Sequence, residues 1–279
     1  MNVVITGATS GIGLAFAIKF LELGDNVVIS SRNPDKVSEI TSLLQKRFGT
    51  EAVIGIPCDV SKPDQVHLLA LESVKVLNQI DYWINNAGTS YKQGIPLIDN
   101  SDEMLEQIVG ANLLGTLVGC REALKIMILQ NRGHIINIAG RGTYGNASEN
   151  LVAYASTKRA LDVLHKSLIK ETKNTKIGVH LISPGMVLTK LLLKDETPIK
   201  TRKVFNILAE HPTVVANKLV PAIKNLNGTG KRITLLDRKK AVFRFMTAFR
   251  FKNKFFDKEG NLLVNIDPLT SSLPSEKQS

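Results

Sequence analysis

The feature that constrains this chain most is a glycine-spaced turn near its start, Thr6-Gly7-Ala8-Thr9-Ser10-Gly11-Ile12-Gly13. The apolar run Val3-Val4-Ile5 precedes it and an amphipathic stretch follows it. Glycine lets a backbone turn sharply and approach another group closely. A strand–turn–helix of this kind aims free N–H groups and a positive dipole end at a pyrophosphate. Gly7, Thr9, Ser10, Gly11, Ile12 and Gly13 are therefore the candidate cradle. Its position after the first strand and before a helix is what gives the motif weight.

The alternation begun there continues to about residue 185. Apolar runs at Asn2–Thr6, Asn26–Ser30, Ala52–Cys58, Asp81–Asn85, His134–Ile138 and Lys176–Ile182 read as strands, with a last one at Arg232–Leu236. Helical stretches are expected at 12–23, 34–48, 62–78, 101–130 and 151–172. Such alternation predicts an α/β fold, with a mostly parallel sheet of about seven strands covered by helices on both faces. Residues 186–227 interrupt it as a helical lid. Residues 238–279 follow the expected domain, 1–237, as a helical extension whose end, from about Asp267, is expected to fray.

With 43% hydrophobic and 22% charged residues, the composition is that of a globular protein. The net charge of +11 invites an acidic partner or marks a solvated basic surface. Two cysteines and five scattered histidines offer no disulfide framework and no metal-ligand spacing, so no metal is expected. No stretch reaches the ~18 apolar residues of a membrane span. A cytoplasmic location, or at most a membrane-surface one, is expected.

Cofactor choice is read at the end of the second strand. An acidic residue there favours a free ribose hydroxyl. This chain has Ser30-Ser31-Arg32, and hydroxyls with a guanidinium suit a phosphate dianion. NADPH is expected over NADH, unless Arg32 merely faces solvent. By position, Asp59-Val60 lies near the adenine and Asn86-Ala87-Gly88 near the ribose. Asn85 reads mainly as a residue that ties strand ends together.

Tyr154 and Lys158 are spaced i, i+4 and share a helix face. A free phenol, of pKa about 10, is a poor proton donor at neutral pH. A neighbouring ammonium favours its phenolate. The pair reads as a proton donor beside a hydride donor, with Lys158 also within reach of ribose hydroxyls.

Taken together, the glycine turn, Asp59, Asn86-Ala87-Gly88, Asn112, Tyr154/Lys158, and Ser183-Pro184-Gly185 with Thr189 resemble the short-chain dehydrogenase/reductase family. The resemblance implies a doubly wound, Rossmann-like sheet and NAD(P)-linked alcohol–carbonyl chemistry. It implies that Asn112 anchors a proton relay with Lys158, and that Pro184, Gly185, Val187 and Thr189 line the nicotinamide side. One departure stands out. The family places a serine hydroxyl after the fifth strand, where this chain runs Ala139-Gly140-Arg141-Gly142-Thr143. Thr143 is the nearest hydroxyl and the candidate replacement. A weaker oxyanion donor suits an aldehyde better than a ketone.

A narrower resemblance, to chlorophyll(ide) b reductases, rests on Cys120–Leu124, Gly133–Ile138, Ser183–Thr189 with Leu191-Leu192-Leu193, Phe205–Leu208, Leu219-Val220-Pro221 and Lys254–Gly260. It implies NADPH-dependent reduction of the C7 formyl group of chlorophyll b or chlorophyllide b. The wider family resemblance implies a homo-oligomer paired through the helices of Asn112 and Tyr154, and the narrower one a place on the stromal side of a photosynthetic membrane. From the residues themselves, Leu188 and Leu191–Leu193 read as a lid over a large flat ligand or as core. The basic, aromatic stretch 238–256 fits an anionic membrane surface or packs on the domain. Nucleic acid is not expected, since no reading motif accompanies the charge. Two other readings use the same residues: a general carbonyl reductase on bulky apolar aldehydes or ketones, and a non-catalytic NADP- or pigment-binding protein.

Overall fold

The computed structural model describes residues 1–90, 95–147, 149–193 and 197–269. Seven parallel strands form its centre. They are β1 (Asn2–Thr6), β2 (Asn26–Ser30), β3 (Val53–Gly55), β4 (Tyr82–Asn85), β5 (Gly133–Ile138), β6 (Ile177–Ser183) and β9 (Arg232–Thr234), in the order β3-β2-β1-β4-β5-β6-β9. A separate two-stranded pair joins β7 (Met186–Val187) to β8 (Ala209–Glu210). β1 and β2 pair without a slip from Asn2↔Asn26 to Thr6↔Ser30.

Apolar runs with no polar alternation become strands buried on both faces. Helices α1 (Gly11–Glu22), α2 (Pro34–Phe48) and α8 (Pro212–Lys224) cover one face, where Phe16, Phe20, Ile40, Leu44, Leu219 and Ile223 pack on β1 and β2. Helices α3 (Pro63–Leu77), α5 (Gly115–Gln130) and α6 (Val152–Glu171) cover the other, around Trp83, Met127, Ile135 and Leu168. A buried Asp25 carboxylate 2.6 Å from Lys224 Nζ ties the turn before β2 to the end of α8.

Chain order reverses between β1 and β4. In sheets of this type the ligand crevice opens there, beyond the carboxyl ends of the strands. The expected single helix 101–130 is divided: α4 (Asp102–Val109) passes into a π-helical turn, Gly110–Leu114, and then into α5. Such turns insert one residue and re-aim the side chains they carry.

Beyond β9 the extension is part of the domain. α9 (Arg238–Met246) follows a short α7 (Ile199–Leu208), and Phe255 and Phe256 are fully buried beside Leu188, Phe205 and Ala209. For these two aromatics the second of the two readings of 238–256 holds: they pack on the domain, and Asn206 captures their backbone. Its Oδ1 accepts from Phe255 N–H (2.7 Å) and Phe256 N–H (2.9 Å), and its Nδ2 donates to Phe256 C=O (2.8 Å). The expected fraying from Asp267 lies mostly outside the described residues. Asp267, Pro268 and Leu269 are described and ordered against the domain.

Candidate active site

The glycine turn folds as a cradle. Gly7 and Gly11 adopt left-handed backbone (φ +66° and +56°), which glycine alone enters without strain. A Cβ on Gly7 would lie 2.8 Å from Ala87 Cα, and one on Gly13 would overlap Gly7 C=O and the Asn86 amide. Asn86 Nδ2 donates to Thr6 C=O (2.9 Å) and Gly7 C=O (3.0 Å), locking the turn to the end of β4. Thr9, Ser10, Gly11, Ile12 and Gly13 line one end of a cleft. Ser31, Arg32, Asp59, Val60, Asn86, Ala87 and Gly88 line the same cleft, as do Pro184, Gly185, Val187 and Thr189. Of the two expected hydroxyls, only Ser31 reaches the wall, since Ser30 is fully buried. Asn85 serves structure: it accepts from Trp83 Nε1 (2.8 Å) and donates to Asn137 Oδ1 (2.9 Å).

Tyr154 and Lys158 project from the first turns of α6 into this cleft. Lys158 is buried, donates to Ile138 C=O (3.1 Å), and lies 5.9 Å from the Tyr154 ring centre. Burial pulls its ammonium down to about 8 and pushes the Tyr154 phenol up to about 12. Desolvation, which disfavours both charged forms, outweighs the acidification of the phenol expected from its lysine neighbour. Tyr154 therefore holds its proton at neutral pH.

Asn112 is fully buried in the π-helical turn. Its Oδ1 accepts from Thr89 N–H (2.7 Å), while its Nδ2 donates to Thr89 C=O (2.9 Å) and Thr157 Oγ1 (3.2 Å). It thereby links the chain beyond β4 to the helix that carries Tyr154. Thr143 behaves differently from its expected role. It is fully buried and absent from the cleft wall, and its hydroxyl accepts from Gly140 N–H (3.0 Å). The reason lies in Gly140, where any Cβ would overlap the Tyr154 hydroxyl. The loop after β5 closes on itself to keep the phenol's space free.

The cleft has a volume of about 1770 Å³. Single-ligand pockets are usually about 300–1,000 Å³, so it has room for a dinucleotide and a second large molecule. Leu191, Leu192, Val204 and Phe205 line its outer part, whereas Leu188 is wholly core. Asn265, Ile266, Asp267 and Pro268 also form part of the wall. Sequence reading missed them because nothing in their residue types predicts a return to a cleft opened some 250 residues earlier. The signal lay in Phe255-Phe256, an apolar pair too large to leave in water.

A family model for short chain dehydrogenases matches residues 1–198. The chain belongs to this family. As an oxidoreductase of that kind it is 38% identical over 278 residues to a probable chlorophyll(ide) b reductase of Arabidopsis thaliana chloroplasts, covering 94% of this chain and 56% of the relative. It is 41% identical over 263 residues to a second Arabidopsis thaliana chlorophyll(ide) b reductase, also chloroplastic, covering 92% of this chain and 73% of that one. The dehydrogenase thus spans about half the length of the first relative. Among solved structures, serine dehydrogenase in its closed form with NADP⁺ superposes with a TM-score of 0.73 at 23% identity, covering 86% of this chain and 96% of that one. That likeness speaks to the fold.

Proposed function

We propose that this short-chain dehydrogenase uses NADPH to reduce the C7 formyl group of chlorophyll b or chlorophyllide b to a hydroxymethyl group. The observation that carries this reading is the 41% identity to a chlorophyll(ide) b reductase over 92% of the chain, which reaches past the dinucleotide-binding half into the lid. The cleft supports it by size and by its apolar outer part. Ser31 and Arg32 on the wall, with no acidic residue among Ser30, Ser31 and Arg32 at the end of β2, support the phosphorylated cofactor.

When bound, a reduced nicotinamide supplies a hydride to the formyl carbon. The chain's own residues do the rest. Tyr154 gives its phenolic proton to the carbonyl oxygen as negative charge builds there. Lys158, cationic below about pH 8, steadies the phenolate left behind. Asn112 holds the segment after β4 against α6, so that donor and cofactor floor keep one geometry. With Thr143 turned inward, the oxyanion is held less firmly than a serine would hold it, which suits a reactive aldehyde. The reading includes self-association through α5 and α6, which expose Leu117 and Val163, on the stromal side of a photosynthetic membrane. Among the described residues no helix is long and apolar enough to cross a membrane.

The test is incubation of the protein and NADPH with chlorophyll b, chlorophyllide b and simple aldehydes. A pigment product heavier by two hydrogens, formed faster with NADPH than with NADH, is the expected result. Turnover of unrelated aldehydes alone would move the assignment to a general carbonyl reductase. Cofactor binding without any turnover would move it to a non-catalytic binding protein.

A further inference from the structure

We propose that the outward face of α9 and the turn after it form a docking surface for an anionic lipid bilayer. Val242, Phe245 and Met246 are spaced i, i+3, i+4 on one face of α9, and Phe249 lies in the 3-10 turn that follows, Ala248–Phe251. They are 52%, 48%, 76% and 76% exposed, with Phe243 beside them at 61%, and no residue of α9 is buried. Five exposed apolar side chains within eight residues mark an interaction site.

The helix is not loosely attached. Arg244 points the other way, donating to Leu208 C=O (3.2 Å) and pairing with Glu210. Lys254 Nζ lies 2.8 Å from the same carboxylate, and Phe251 packs beneath both cations. This anchor, with the Asn206 clamp behind it, fixes the back of the segment and leaves its apolar face outward.

Charge selects the partner. From Arg238 to Phe256 there are seven basic residues and no acidic one. Glu210 occupies Arg244 and Lys254, while Arg238, Lys239, Lys240, Arg250 and Lys252 stay exposed around the apolar face. A second copy of the chain would meet this face with the same sign of charge. Nucleic acid would leave Val242, Met246 and Phe249 without apolar contact. An anionic bilayer satisfies both features, taking the side chains into the headgroup boundary and the cations onto its phosphates. Asp237 and Arg238, at the start of α9, also line the catalytic cleft. Docking would therefore bring the cleft mouth to the lipid surface, whatever the substrate.

The test is sedimentation of the full chain with vesicles of phosphatidylcholine alone or mixed equally with phosphatidylglycerol, at low and high salt. The expected result is binding to the mixed vesicles that weakens with salt. Arg250→Ser/Lys252→Ser lowers that partition about 30-fold, from roughly fivefold per charge. Met246→Ser/Phe249→Ser lowers it at least about tenfold. Unchanged NADPH affinity in both variants shows that the fold is retained. Equal partition of wild type and variants, or equal binding to neutral and anionic vesicles, overturns the proposal. So does an oligomer that Met246→Ser/Phe249→Ser dissociates while no vesicle binding is seen.

Discussion

At the scale of single residues, the site is organised around the space kept for one hydroxyl. Gly140 faces the Tyr154 phenol so closely that even a methyl group would displace it. Gly140→Ala is expected to lower kcat about 10²-fold through misplacement of the donor, with melting temperature nearly unchanged. Tyr154→Phe, which removes the donor itself, is expected to cost about 10²–10⁴. Steady-state kinetics beside thermal melts separate these variants from simple unfolding. In the proposed mechanism Lys158 sets the pH dependence. Its ammonium, pulled down to about 8 by burial, is charged below that pH and neutral above it. The rate of reduction is therefore expected to be flat near neutrality and to fall about tenfold per pH unit well above 8. Tyr154, at about 12, adds no break in that range. A profile flat to pH 10 would remove Lys158 from the role given to it. That Tyr154, Lys158 and the glycine turn would meet in one cleft was legible in the sequence from their spacing. The inward turn of Thr143 was not, since a hydroxyl's direction depends on the loop that closes around it.

Elements show where local pattern ends and tertiary contact begins. β1 and β2 have the bounds their apolar runs predict, because both are buried on two faces and their turns are short. Ala52–Cys58 was expected as a strand; the regular strand is Val53–Gly55, at the edge of the sheet, while Ala52 C=O, Ile56 N–H and Cys58 N–H still bond to the β2 side. The π-helical turn at Gly110–Leu114 left no mark in the residue pattern. Its backbone shift shows only when Asn112 has Thr89 and Thr157 to bind. The two-stranded β7–β8 pair was missed for the same reason, two residues on each side being too few for any period. Asn206 allows an element-level test. Asn206→Leu leaves the Phe255 N–H, Phe256 N–H and Phe256 C=O without their partner. Each buried polar group so orphaned costs about 1–3 kcal/mol. The expected outcome is faster proteolysis between residues 238 and 269, with the sheet core still protected from hydrogen exchange.

Across the whole molecule, stability carries a hidden dependence on acid. His134 Nδ1 and His180 Nε2 lie 3.0 Å apart between β5 and β6, and His165 on α6 is fully buried. Burial, then the charges of His134, His165 and Lys231, pulls His180 down to about 3. Burial, then Arg232, pulls His165 down to about 4. Both are neutral when folded and titrate near 6.5 when unfolded, so the unfolded chain takes up protons first. The stability they contribute is present above about pH 6.5 and is lost as pH falls toward 4, by about 1.4 kcal/mol per pH unit for each histidine. Urea midpoints measured from pH 7 to pH 5 are expected to drop, and His180→Gln is expected to flatten that slope. None of these three histidines lines the catalytic cleft, so loss of activity in mild acid would reflect unfolding rather than chemistry. The placement of Asn265–Pro268 in the cleft wall has a temporal counterpart. A chain emerging from the ribosome supplies the residues of its dinucleotide floor before those of its far wall. The order of synthesis therefore sets down the residues under the coenzyme before those that enclose the space for its companion.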